Sequence, residues 1–355
     1  MVPNPQFWRG QRVLLTGHTG FKGALLALWL RRLGAELTGF ALDPPTTPSL
    51  FELAGVAQDL NDLRGDVRDF AAVKRALAVA RPTLVFHLAA QALVREGYAT
   101  PLATFDTNVM GTAHVLEAVR DSAATRAVVV VTSDKCYAND GSQRRYREAD
   151  ALGGFDPYSS SKACAELVSA AWRDSFLAAR GVAVATVRAG NVIGGGDWAA
   201  DRLLPDAVRA WSAGEPVRLR NPSATRPWQH ALAPLAGCCA LAEALLRDGP
   251  RFARAWNFGP VDGATHPVSA VIETAAAAWG AGARWEPAAG DHPHEAPVLG
   301  LDSGLAVREL GFASPWPLAR AVNESIAWYR QQRSGTDVRQ LTFSQIESYT
   351  HDLND

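Results

Sequence analysis

Three glycines spaced Gly17-x-x-Gly20-x-x-Gly23 constrain this chain more than any other feature, because of what flanks them. They follow the short apolar run Arg12-Val-Leu-Leu-Thr16 and lead into an apolar stretch that ends near Leu33. A buried strand that turns through glycines into a helix is the first unit of a doubly wound sheet. The glycines let backbone N–H groups approach a bound pyrophosphate, and the helix N-terminus adds partial positive charge. Glu36–Ala41, 84–88, 127–132 and Ala183–Ala189 are further compact apolar runs, and another strand ends at Gly65. The spacing predicts helices over 70–80, 101–122 and 158–179 between them. Regular alternation of strand and helix implies a parallel sheet covered on both faces.

The expected fold class is therefore α/β: a Rossmann-type doubly wound parallel sheet with a smaller mixed α/β C-terminal substrate domain. The boundary is expected near residue 188, where Gly194-Gly-Gly196 and Pro-containing turns loosen the pattern. Residues 1–188 would carry the dinucleotide and the catalytic groups. Residues 189–355 would mainly bind substrate, with some segments returning to the first domain. The polar tail after Ser334 is expected to pack loosely, with nearby Trp and Tyr as anchors.

Composition narrows the function. With 35 basic against 36 acidic residues the net charge is −1, which argues against a general electrostatic grip on nucleic acid. No apolar run reaches membrane-spanning length, and the N-terminus lacks a charged-then-apolar signal pattern. The four Cys show no C-x-x-C spacing, which suits a reduced, cytoplasmic setting. Cys238 and Cys239 sit in an apolar helical run, 232–246, and read as packing residues.

The chemistry lies in Tyr158-Ser-Ser-Ser-Lys162, read with Thr132-Ser-Asp-Lys135. A Tyr and a Lys four residues apart share one helix face, and a nearby ammonium lowers a phenol's pKa. Such a Tyr can take a hydroxyl proton as hydride leaves the same carbon. Asp43, about twenty residues beyond Gly23 and just past the second strand, is placed to bond ribose hydroxyls and to repel a 2′-phosphate, favouring NAD over NADP. Lys22 can add a phosphate contact. Asp66 can meet the adenine amino group, with Val67 beside it. Leu88, Ala89, Ala90 and Gln91 leave room for a nicotinamide ribose. His87 reads as a packed core histidine.

These motifs together resemble the extended short-chain dehydrogenase/reductase superfamily, and within it the nucleotide-sugar 4,6-dehydratases. The resemblance runs from about Phe7 to Trp328. It rests on Gly17-His18-Thr19-Gly20-Phe21-Lys22-Gly23, Thr132-Ser-Asp-Lys-Cys-Tyr137, Asp156-Pro-Tyr-Ser-Ser-Ser-Lys162, Arg188-Ala-Gly-Asn-Val-Ile-Gly-Gly-Gly-Asp-Trp198, Arg226-Pro-Trp-Gln-His230 and His292-Pro-His-Glu295. It implies a tightly held NAD, bound along the whole first string, that is reduced and reoxidised within each turnover. It also implies CDP-glucose as substrate and a homodimer packing two long helices from each subunit, here 101–122 and 158–179. Cytosine preference follows from overall likeness alone.

The resemblance gives Tyr158 the 4-hydroxyl proton, Lys162 the task of holding Tyr158 acidic, and Ser133 a hydrogen bond to the 4-oxygen. Asp134 matches the acid at O6. Lys135 stands where the dTDP- and GDP-linked relatives carry Glu as the C5 base; it acts in elimination, either as a base or as a cation beside the enolate. Asn191, Arg202 and Arg226 match diphosphate positions, with Leu203 adjacent. Gln91, Arg220, His230 and His292 are further substrate candidates. The spacing of His292 and His294 also admits a metal, but nothing completes such a site and the chemistry needs none. A 4-epimerase shares the fold, NAD, Tyr158 and Lys162 but needs no acid at C6. A cofactor-sensing regulatory protein would need neither catalytic residue.

Overall fold

The computed structural model describes residues 2–290 and 296–355. Seven parallel strands form one sheet: β1 (Arg12–Thr16), β2 (Glu36–Ala41), β3 (Asn61–Arg64), β4 (Leu84–His87), β5 (Ala127–Val131), β6 (Ala183–Ala189) and β7 (Ala255–Phe258). Their order is β7-β6-β5-β4-β1-β2-β3. The chain reverses direction across the sheet between β1 and β4, which opens a crevice at the carboxyl ends of those strands. Among the described residues, no helix is long and apolar enough to cross a membrane.

Side-chain alternation along each strand builds two cores. Val13 and Leu15 of β1, Phe86 of β4 and Val129 of β5 face a core shared with helices α1 (Phe21–Arg32) and Leu232–Phe252. Leu14, Val85, Val128 and Val130 face the opposite core, against Phe70–Ala80 and Gly111–Arg120. A strand buried on both faces must be apolar at every position, which is why these runs are continuous rather than alternating. β7 returns to the sheet from the second half of the chain, pairing Ala255–Phe258 with 186–189 of β6. Short strand pairs, such as Thr225–Arg226 with His266–Pro267, stand beyond the sheet.

The long helices differ from their predicted forms. The helix over 101–120 contains a π turn at Asp106–Met110, and Pro157–Trp172 runs into a second at Arg173–Leu177. The apolar helix continues past 246 to Phe252 through a break at Asp248.

The tail is not loose. Val338–Asp352 is a helix whose Val338, Leu341, Ile346 and Tyr349 are buried in the main core. Arg339 reaches both carboxylate oxygens of Asp59 at 2.7 Å, and Trp328 donates to Thr342 at 3.1 Å. Its apolar residues recur at helical spacing, so a stripe is buried although the segment as a whole is polar. Ile346→Ala is expected to cost about 2–5 kcal/mol, the usual range for a buried Ile truncated in a core. Urea unfolding followed by circular dichroism checks this; an unchanged midpoint would mean that the helix is not docked.

Candidate active site

A cavity of about 1080 Å³ fills the crevice. Its floor is the turn after β1. Gly17 has φ +76, and a Cβ there would stand 2.6 Å from the Ala89 nitrogen; a Cβ on Gly23 would stand 2.0 Å from the Gly17 oxygen. Only glycine permits these approaches. Gly20 caps α1 with no side-chain hydrogen bond, which leaves backbone N–H groups of the first turn without a side-chain partner, and Thr19, Gly20, Phe21, Lys22 and Gly23 line the cavity. This cradle, with a cation beside it and a carboxylate at the far end, fits a dinucleotide. Asp43 is that carboxylate; its side chain is 92% exposed, 3.6 Å from Arg64.

Several expected contacts are used within the protein. His18 does not offer its ring to the cavity: it is fully buried, with Nε2 2.8 Å from Asp62 and its ring edge-on to Phe51. Only its backbone remains for a ligand. Asp66 lines the cavity beside Val67, yet its carboxylate takes two bonds from the Arg68 guanidinium, at 2.8 and 2.6 Å, which hold its pKa down. Leu88, Ala89, Ala90 and Gln91 line the wall, but the Gln91 amide turns onto Thr104 and the Leu93 N–H. His87 is buried between Thr16 and Thr112, and burial brings its pKa to about 3.

The catalytic candidates meet at the other end. Ser133 follows β5 and caps a tight turn, accepting from the Lys135 N–H at 3.2 Å and donating to Asp134 at 3.1 Å. Asp134 is 2% exposed, and its Oδ2 has no hydrogen-bond partner. Burial raises its pKa; Lys135, Ser133, Arg226 and Lys22 pull the other way. Gly190 stands opposite, where a Cβ would lie 3.3 Å from that free oxygen. Tyr158 enters at the start of α2 (Pro157–Trp172), which Asp156 caps through the Ser159 N–H at 3.0 Å with Pro157 in its first turn. Such a start favours helix formation on both counts.

Burial raises the Tyr158 pKa, while a hydrogen bond with Ser133 and the Arg202 charge lower it. Lys162 donates to the Val131 carbonyl at 3.3 Å, and burial, with the Lys22 charge beside it, brings its own pKa to about 7. An amine that is only partly protonated near neutral pH exerts a weakened field on a neighbouring phenol.

On the substrate side, Asn191, Arg202, Leu203, Arg220 and Arg226 all line the cavity. Arg202 donates to the Ala92 carbonyl, and Arg220 pairs with Asp201 at 2.7 Å. His230 is corrected: it is buried away from the cavity against Trp316 and Tyr349, and burial lowers its pKa to about 3. His292 and His294 lie outside the described residues.

The structure adds residues that sequence reasoning passed over. Asn108, within the π turn, bonds both the N–H and the carbonyl of Gln91 and reaches Ser161 at 2.8 Å. Asp201 joins Arg95 to Arg220 from a left-handed backbone position, φ +61. A π turn was the one available signal for Asn108, and no sequence pattern marks it.

These features are those of a dinucleotide-dependent enzyme acting on a phosphorylated sugar-like substrate, and the comparisons agree. A profile of the NAD dependent epimerase/dehydratase family matches residues 13–251, and the chain belongs to that family. It is 45% identical over 348 residues to a CDP-glucose 4,6-dehydratase of Salmonella typhimurium, covering 97% of each chain. A dTDP-glucose 4,6-dehydratase of Streptomyces griseus is 29% identical over 337 residues, covering 91% of this chain and 95% of the relative. Among solved structures, MoeE5 in complex with UDP-glucuronic acid and NAD superposes with TM-score 0.76 at 26% identity, covering 91% of this chain and 100% of the other. An NAD complex of a Bacillus anthracis dTDP-glucose 4,6-dehydratase superposes with TM-score 0.75 at 19% identity, over 92% of this chain and 98% of that one, and shares the fold.

Replacing the Asp43 carboxylate tests the cradle. Asp43→Ala is expected to weaken NAD binding about 10- to 100-fold, the worth of hydrogen bonds to a charged group. Isothermal titration with NAD measures it; unchanged affinity would remove Asp43 from the site.

Proposed function

We infer that this chain is a CDP-glucose 4,6-dehydratase, a hydro-lyase that uses NAD and yields a CDP-4-keto-6-deoxyhexose. Near-full-length identity to a curated enzyme of that name supports the substrate and reaction. The observation that carries the reading is a buried carboxyl, Asp134, with one oxygen unpartnered, joined through Ser133 to the Tyr158 phenol. A 4-epimerase needs the phenol but no such acid.

Bound NAD supplies the hydride acceptor at C4 and the hydride donor at C6. Tyr158 takes the 4-hydroxyl proton, with Ser133 bonding the same oxygen. Lys162, with a pKa brought to about 7, stands one helical turn away to exchange that proton. The C4 ketone acidifies the C5 hydrogen, and Lys135 acts in removing it or in holding the resulting enolate charge; a proton returns to C5 when hydride returns to C6. Asp134 gives its proton to the departing 6-hydroxyl, which leaves as water. Burial keeps this acid protonated to higher pH than an ordinary carboxyl, as a donor requires. Arg202, Arg220, Arg226 and Asn191 hold the diphosphate; guanidinium groups suit it because they bond two oxygens at once. Residues 1–188 hold NAD and the catalytic groups in this reading, and residues 189–355 mainly hold the nucleotide-sugar. The four free cysteines suit a cytoplasmic location.

A homodimer completes the proposal. Leu102, on the helix over 101–120, is 86% exposed, and Leu167 of α2 is 59% exposed, with Met110 between them in sequence at 47%. Two such helices from each subunit would form a four-helix bundle. Sedimentation velocity is expected to show one dimeric species; a monomer at micromolar concentration would contradict it.

Mass spectrometry of the nucleotide fraction tests the reaction. CDP-glucose should lose one water, while dTDP-, GDP- and UDP-linked sugars should not react comparably. An unchanged mass with altered C4 configuration would favour an epimerase, and no product from any sugar would favour a cofactor-sensing protein. Asp134→Asn should lower kcat about 10²- to 10⁴-fold, the worth of a positioned acid. Because the donor is the protonated form, wild-type kcat should fall as pH rises through the raised Asp134 pKa, a limb that Asp134→Asn lacks.

A further inference from the structure

We propose that the buried ion pair Arg188–Glu166 is a positioning device that fixes the register between the Ser133-Asp134-Lys135 turn and the Tyr158–Lys162 helix. The proposal rests on the dehydratase reading and deepens it. Arg188 Nη2 lies 2.7 Å from Glu166 Oε2, with the two side chains 4% and 3% exposed. Neither residue lines the cavity, so neither touches substrate there.

The pair grips the catalytic turn at both ends. Before the turn, the Thr132 hydroxyl donates to Glu166 Oε1 at 2.5 Å. After it, Arg188 Nη1 donates to the Tyr137 phenol oxygen at 2.9 Å, and that phenol donates to Asn257 at 2.6 Å. Arg188 also stacks over the Tyr137 ring, 4.9 Å from its centroid. Thr186 of β6 donates to the second Glu166 oxygen at 2.7 Å, joining the strand that carries Arg188. Glu166 itself lies on α2 one turn beyond Lys162, as Lys162 lies one turn beyond Tyr158. One carboxylate therefore links the helix bearing Tyr158 and Lys162 to the turn bearing Ser133, Asp134 and Lys135.

A buried charge pair of this kind is a poor way to gain stability, since apolar residues of similar volume often do as well. It is a good way to fix geometry. Removing one partner leaves the other charged and buried, and every remaining bond in the network must shift. The two arms of the site carry different steps. Tyr158 on the helix takes the proton at C4, with Ser133 of the turn bonding the same oxygen, whereas both groups that serve C5 and C6, Asp134 and Lys135, lie on the turn. Loosening the turn should therefore slow elimination more than oxidation.

Thr132→Val and Glu166→Gln test this, with Thr132→Ser as the conservative control that restores the hydroxyl. All are compared at equal folded, NAD-loaded concentration. Both disruptive variants should lower kcat about 10- to 100-fold with KM for CDP-glucose nearly unchanged, since displacements of about 1 Å have effects of this size. Thr132→Ser should stay within about twofold of wild type, because it keeps the same donor. The kinetic isotope effect with 5-deuterated CDP-glucose should rise in the disruptive variants, and that with the 4-deuterated sugar should fall. A merely structural pair would lower the folded fraction and leave both isotope effects at wild-type values, and that result overturns the proposal. So would wild-type kcat in both disruptive variants. An inactive wild-type protein would sink the dehydratase reading and the proposal with it, whereas an active wild type with unaffected variants sinks the positioning role alone.

Discussion

The contact of Gly17 with Gly23 on one side and with the Leu88–Ala89 backbone on the other is the constraint on which the site depends. Three chain segments meet there with no side chain between them, and a Cβ on Gly17 or Gly23 would fall within 2.6 or 2.0 Å of backbone atoms. The approach places the uncapped start of α1 against the end of β4 at the point where the sheet reverses. Asn108 then holds Gln91 from behind through both of its backbone groups. These contacts form the floor of the site, and the groups that bind or react are arranged above it. A larger side chain at either glycine would separate the strand ends and open the cradle before any catalytic residue was disturbed.

Above that floor, burial acts in opposite directions on two kinds of group. It raises the pKa of Asp134 and lowers that of Lys162, because each is pushed toward its uncharged form. A single poorly solvated space thus holds an acid ready to donate and an amine ready to accept. This is the pattern expected where one fold runs acid and base chemistry near neutral pH. Arg188 and Glu166 meet the same burial differently. They remain an ion pair because each supplies the other's counter-charge, while the Thr132 and Thr186 hydroxyls bond the two Glu166 oxygens.

Much of this was legible along the chain because the responsible features are local. β1, β2 and β6 have the bounds that their apolar runs predict, since strands buried on both faces must read as continuous apolar segments. Tyr158 and Lys162 are fixed relative to one another by helix geometry alone. Ser133 and Asp134 lie where a strand end meets the crevice. What sequence could not show is where a ring or an amide turns. His18 and His230 lie in suggestive strings, yet their rings pack away from the cavity, against Asp62 and Phe51 in one case and Trp316 and Tyr349 in the other. The Glu166–Arg188 link crosses from helix to strand, and Asp201 depends on a left-handed backbone that no local pattern signals. The C-terminal helix was hidden by its polar composition, because its apolar stripe occupies only one side.

The central claim is that this site oxidises a sugar at C4, removes water across C5 and C6, and returns the same hydride to C6. The most direct test is to incubate the protein with CDP-[4-²H]glucose and analyse the product by mass spectrometry and NMR. The account predicts loss of one water, with the deuterium retained and found at C6. A sugar of unchanged mass, or a dehydrated product whose deuterium has been lost to solvent, would contradict it.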